Sequence, residues 1–144
     1  DQPAIAAAAD YFFEGGLLGP VVALATGAFP FGRTEHVRAS LGYVGSFLDA
    51  DWNVILFPEG TRSPTEQLGP FKSGIGLLAT QLGVPVVPVG IRGAHAILPK
   101  GAKLPRRRGR VRLSFGPPVT FQPGCTAQEA TARIEAAVRV LLDP

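Results

Sequence analysis

The chain has 144 residues, 46% of them hydrophobic, and a formal net charge of +3. That length suits one domain with a real core, and that composition excludes a disordered chain. No apolar run reaches the ~18 residues of a membrane span, residues 1–9 lack the basic start and long apolar stretch of a signal peptide, and the lone Cys125 excludes an internal disulfide and fits a reducing compartment.

Taken in order, the small-residue run Ala4 to Ala9 predicts a strand, broken by Gly15-Gly16. Leu17 to Ala25 predicts a short apolar helix with Pro20 near its first turn, and Gly27 to Phe31 a short strand closed by Gly32-Arg33. Thr34 is placed to cap a helix running to about Ala50, with Val37, Leu41, Val44 and Leu48 on one buried face. Asp51-Trp52-Asn53 turns into a strand over Val54–Phe57. Ser63 to Pro70 is a polar loop, Ser73 to Leu82 a helix with Gly83 placed as its C′ residue, and Val84 to Ile91 a second strand. Pro85 and Pro88 put that strand at a sheet margin or interrupt its pairing. Residues 92–109 read as a long basic loop, Val111–Phe115 as a half-buried alternating strand, and Thr126 with Glu129 as the capping box of a last helix whose apolar face is Ala130, Ile134, Ala137 and Leu141. Strands alternating with helices predict an α/β layered fold with a central, largely parallel (mixed) sheet flanked by helices, organised as a single domain over 1–144.

Charge is unevenly placed. No acid occurs between Glu66 and Glu129, while Lys72, Arg92, Lys100, Lys103, Arg106, Arg107, Arg108, Arg110 and Arg112 lie in that interval. Such a tract needs solvent or an anionic partner. No aromatic is interleaved from Arg92 to Arg112, as base-stacking platforms would require. Leu98, Pro99 and Leu104 lie among the cations instead, which fits a membrane interface through loop 92–112 better than nucleic acid. A plain solvated loop stays open.

The densest chemistry is Phe57-Pro58-Glu59-Gly60-Thr61-Arg62-Ser63, directly after the apolar Val54-Ile55-Leu56. It sets a carboxylate, a glycine turn, a hydroxyl and a guanidinium at the end of a strand, where α/β sheets bind ligands. Arg62 supplies a planar, permanently charged fork suited to phosphate or carboxylate. A local Glu59–Arg62 surface pair is the plainer alternative. Arg33 adds a cation after another predicted strand, and Lys72 one just before a helix N-terminus, where anions are already favoured. Each has a solvated reading of its own; together they are suited to one phosphate. His36 and His95 have no metal-type partners, so no metal site is expected.

These blocks resemble, in order, those of the glycerolipid acyltransferase family, whose best-known members are the 1-acylglycerol-3-phosphate (lysophosphatidate) O-acyltransferases. Gly27–Arg33 resembles the block ending in a phosphate-contacting arginine. Phe57–Ser63 is nearly the family signature verbatim, Gly69–Gly74 resembles the Phe-Lys-x-Gly block, and Val84–Val89 the Val-Pro-x-x-Pro block. Arg92–His95, Leu98–Gly101 and Ser114–Pro118 are also similar, and the resemblance spans about residues 5–142.

The resemblance implies transfer of a fatty acyl group from acyl-CoA or acyl-carrier protein, both donor substrates rather than cofactors, to a lysophospholipid hydroxyl in phospholipid biosynthesis. It implies a peripheral place on the cytoplasmic face of a membrane. Arg33, Arg62 and Lys72 would hold the acceptor phosphate, Glu59, Gly60 and Thr61 would position the acceptor, and Phe57, Pro58 and Pro88 would line the pocket. The family's base is the His of an H-x-x-x-x-D block, oriented by its Asp. No such block occurs here, since neither His36 nor His95 has an Asp five residues on. Asp1 is a candidate for that Asp, but Ile5 follows almost at once where family members have a helix. The block is therefore expected upstream of Asp1, the chain is expected to be truncated at its N-terminus, and these residues alone are expected to be inactive. A non-catalytic anionic-phospholipid-binding module and a nucleic-acid-binding domain are the competing readings.

Overall fold

The computed structural model describes residues 3–8, 28–31, 37–102, 104–105 and 108–143. The helix expected over 17–25, Asp1 and Arg33 lie outside the described residues. The elements are mixed α/β, and the chain divides into two compact units, Asp1–Gly60 and Thr61–Pro144.

In the first unit β1 (Pro3–Ala8) lies between β2 (Ala28–Phe31) and β3 (Asn53–Ile55), and both neighbours run parallel to it. Ile5 pairs with Ala28 on one side and with Ile55 on the other. Pro30 has no N–H to give a ladder, which suits β2 at the margin of these three strands. β1 covers the expected strand with its bounds one residue earlier. Between β2 and β3 comes α1 (Val37–Asp49), within the expected 34–50, with Val44 buried as its apolar spacing requires.

The end of α1 is a complete Schellman motif. Asp51 takes a left-handed backbone (φ 63) and its N–H donates to Leu48 O at 3.0 Å. The next N–H, of Trp52, reaches back to Phe47 O at 2.9 Å, and the Phe47 and Trp52 rings close the motif with centroids 5.5 Å apart. Sequence reading made this only a turn. β3 stops at Ile55, short of the expected Phe57, because Pro58 has no amide for a ladder and the chain is already turning.

The second unit is built on the pairing of α2 (Gly74–Leu82) with α4 (Ala127–Leu142); between them in sequence lies the short α3 (Ala94–Ile97). Leu78 and Ala79 face a core that contains Ala130, Ile134 and Val138. At Gly76 the helices approach so closely that a Cβ would collide with Ala127 O and the Thr131 side chain. Gly83 ends α2 in the left-handed conformation (φ 63), and the Thr126–Glu129 capping box starts α4, both as expected.

The strand expected over Val84–Ile91 is shorter. Pairing begins at β4 (Val89–Arg92), antiparallel to β5 (Arg112–Phe115), with an isolated bridge between Val86 and Val119. Pro85 and Pro88 carry no ladder donor, and Pro88 is instead fully buried with its carbonyl accepting from Gly116 N at 2.9 Å. The expected basic loop contains α3 at its start, so it is not a structureless segment.

Replacing Gly76 by Ala is expected to destabilise the protein by about 1–3 kcal/mol through overpacking. Asp51→Gly is expected to stabilise it by about 0.5–1 kcal/mol, because glycine adopts the left-handed region without a Cβ penalty. Urea unfolding midpoints check both, and a neutral Gly76→Ala would contradict the helix contact.

Candidate functional site

The signature residues are shaped by the turn that follows β3. Gly60 N–H donates to Phe57 O at 3.0 Å, closing Phe57–Gly60 as a four-residue turn. Gly60 sits at φ 68, where a side chain would strain the backbone, so the glycine of the signature is a conformational requirement. Phe57 is 56% exposed, while Pro58, Glu59 and Gly60 are half-buried.

The second unit begins at Thr61, whose hydroxyl reaches its neighbour's carbonyl, Arg62 O, only at 3.5 Å. Arg62 is half-buried, and its Nη1 donates to two carbonyls, Pro99 O at 3.3 Å and Ala102 O at 3.2 Å. After it, Ser63 Oγ donates to Gln67 O at 2.9 Å and accepts from Thr65 N, while Gln67 N donates to Thr65 Oγ1. The polar loop is thus folded on its own hydroxyls.

Lys72 is exposed one residue before Ser73, the N-cap position of α2. The Ser73 side chain makes no capping bond. What holds this approach to the helix is Glu135 on α4, whose Oε2 accepts from Phe71 N at 3.1 Å while Oε1 accepts from Arg139 Nη2 at 2.8 Å. The sequence reading missed Glu135. Its i,i+4 spacing to Arg139 was legible, but nothing local ties it to a residue 64 positions away. The Phe71 amide, and then Arg139, hold the Glu135 carboxyl below its ordinary value of 4.5.

Of the other predicted positions, Pro88 is buried against Gly116. Arg92, counted in the basic tract, is half-buried and donates to Leu142 O at the C-terminus of α4, where a cation complements the helix dipole. His95 lies in α3 with Nδ1 buried and without a hydrogen-bond partner among the described residues. A groove of about 580 Å³ between the end of α2 and the 120–127 segment contains none of the predicted site residues.

Since the folded Glu135 titrates below its unfolded value, its contribution to stability is complete above the ordinary carboxyl range. It is lost as pH falls through the lowered folded value. Acid unfolding of Glu135→Gln is therefore expected to be less steep than that of the wild type, with faster exchange of the Phe71 amide at neutral pH. Identical acid profiles would remove Glu135 as the tether.

The chain is 43% identical over 67 residues to the chloroplastic 1-acyl-sn-glycerol-3-phosphate acyltransferase BAT2 of Brassica napus, covering 46% of this chain and 20% of that protein. It is 30% identical over 97 residues to 1-acyl-sn-glycerol-3-phosphate acyltransferase alpha of Mus musculus, covering 67% of this chain and 34% of that one. The chain thus spans about a fifth to a third of these relatives' length. The crystal structure of the 1-acyl-sn-glycerophosphate (LPA) acyltransferase PlsC from Thermotoga maritima matches 98% of this chain and 55% of that chain, with a TM-score of 0.72 and 26% identity. The acyltransferase family model matches residues 1–92, which contain Arg33, the whole signature and Lys72: the chain belongs to the acyltransferase family.

Proposed function

We propose that this chain is the acceptor-handling part of a 1-acylglycerol-3-phosphate O-acyltransferase in phospholipid biosynthesis. The observation that carries the reading is the family match across residues 1–92, joined to relatives named for that one reaction. A central, largely parallel sheet flanked by helices is the finer fold that goes with it, supported by the similarity to PlsC.

In the reaction the acceptor hydroxyl oxygen attacks the thioester carbonyl of acyl-CoA or acyl-carrier protein. A base takes the hydroxyl proton, the C–O ester bond forms, and the C–S bond breaks to release the thiol. Arg33, Arg62 and Lys72 supply positive charge for the acceptor phosphate. Glu59 and the Gly60-Thr61 turn position the acceptor, and Phe57, Pro58 and Pro88 are the apolar residues of the pocket.

Loop 92–112 is proposed to meet the cytoplasmic face of a membrane peripherally. Leu104 is 77% exposed and Arg108, Arg110 and Arg112 are exposed nearby in sequence, a mixture of apolar and cationic groups suited to anionic lipid. Among the described residues no helix is long and apolar enough to cross a membrane.

A second reading, a non-catalytic anionic-phospholipid-binding module, is favoured by one observation: neither histidine of the sequence has an Asp five residues on. The two readings part on turnover. The intact protein, given lysophosphatidate and either donor, is expected to release thiol and form phosphatidate, whereas residues 1–144 alone are expected to bind lysophosphatidate without turnover. Arg33→Ala and Arg62→Ala in the intact protein are each expected to lower kcat/KM about 10–100-fold, the loss of a charge-assisted phosphate contact. Full activity in both variants would remove the phosphate assignment, and lysophosphatidate binding without turnover by the intact protein would establish the non-catalytic module.

A further inference from the structure

Arg62 touches two carbonyls that belong to one turn. Ala102 N–H donates to Pro99 O at 3.1 Å, so Pro99, Lys100, Gly101 and Ala102 form a closed four-residue turn. Gly101 occupies the third position at φ 88, and nothing lies within 4 Å of where its Cβ would be. The glycine is therefore required by backbone conformation and not by crowding. The Arg62 Nη1 bonds, at 3.3 and 3.2 Å, fall on the first and last carbonyls of the turn. One planar nitrogen with two N–H groups suits two carbonyls at once, as a lysine's shorter stem and point charge do not. Lys100 stands at the second position, exposed, one residue from a carbonyl that Arg62 holds.

We propose that Arg62 is a positioning residue for the Pro99–Ala102 turn, and that the turn so fixed presents Lys100 as a further cation for the acceptor phosphate. Neither Lys100 nor the turn was among the predicted site residues. The geometry supplies what such a cation needs. A lysine on a mobile loop loses side-chain and backbone entropy on binding, whereas a turn braced by Arg62 and Gly101 has already lost the backbone part. Lys100 is rooted on the turn whose first and last carbonyls Arg62 holds, and its side chain is exposed. The Lys100 half of the proposal rests on the acceptor-phosphate reading; the bracing of the turn does not.

Two measurements on the intact protein test the two halves separately. Amide exchange of Ala102 is expected to rise about tenfold in Arg62→Lys and in Gly101→Ala, while the amides of α4 keep their rates. An unchanged Ala102 rate in both variants overturns the bracing role. For acyl transfer to lysophosphatidate, Lys100→Ala is expected to lower kcat/KM about tenfold with most of the loss in KM, and Lys100→Arg to restore most of it. Transfer to monoacylglycerol, which has no phosphate, is expected to be insensitive to both Lys100 variants. An unchanged KM for lysophosphatidate, or an equal loss with monoacylglycerol, overturns the phosphate contact. A wild type that does not turn over lysophosphatidate removes the acceptor reading and the Lys100 assignment with it, and the exchange measurement still decides the bracing.

Discussion

The second unit depends on the approach of α2 and α4 at Gly76, where backbone meets backbone with no room for a methyl group. Close approach at a glycine lets Leu78 and Ala79 reach a common core with Ala130 and Ile134, all nearly inaccessible to solvent. Thr131, the buried polar residue at that contact, donates its hydroxyl to Ala127 O at 2.7 Å, so no polar group is stranded there. One missing Cβ therefore sets the spacing on which the surrounding segments are hung.

Those segments hang on α4. Its middle provides Glu135 for the Phe71 amide, which fixes the chain just before Lys72 and the start of α2. Its last turn provides Leu142 O for Arg92, which fixes the end of β4, and Leu141 and Leu142 lie against Gly90 of the same strand. The approach to Lys72 and the entry to α3 are thus positioned by a helix that the signature residues do not belong to. The tethers are polar and the platform is apolar, a division that gives the segments orientation without asking them to supply the core.

Much of this was legible where the determining interaction is local. The Thr126–Glu129 box and the left-handed Gly83 each lie within one or two turns of chain and appear as expected, as does the burial of Val44 on α1 and of Ala130 and Ile134 on α4. Pro85 and Pro88 were legible as interruptions: before Val89 there is only the isolated Val86–Val119 bridge, and the continuous ladder starts at Val89. The Schellman end of α1 was less so, because Asp in place of Gly hides the left-handed position. Glu135 to Phe71 and Arg62 to Pro99 and Ala102 join residues 64, 37 and 40 positions apart. Nothing in periodicity or capping chemistry encodes such pairs. The short α3 was missed because its four residues follow a left-handed Gly93 that reads as a turn, and Gly93 lies so close to Arg110 O that no side chain fits.

The basic tract is best understood cation by cation. Arg92 is consumed by the fold, its charge set against the carbonyl end of α4. Arg62 is anchored too, its Nη1 donating to two peptide carbonyls of one turn. The Pro99–Ala102 turn lies in the stretch between Glu66 and Glu129 that contains no acid. The signature arginine and the later Pro-Lys-Gly turn are thus tied together across 37 to 40 positions of chain, the turn supplying the carbonyls and Arg62 the donor.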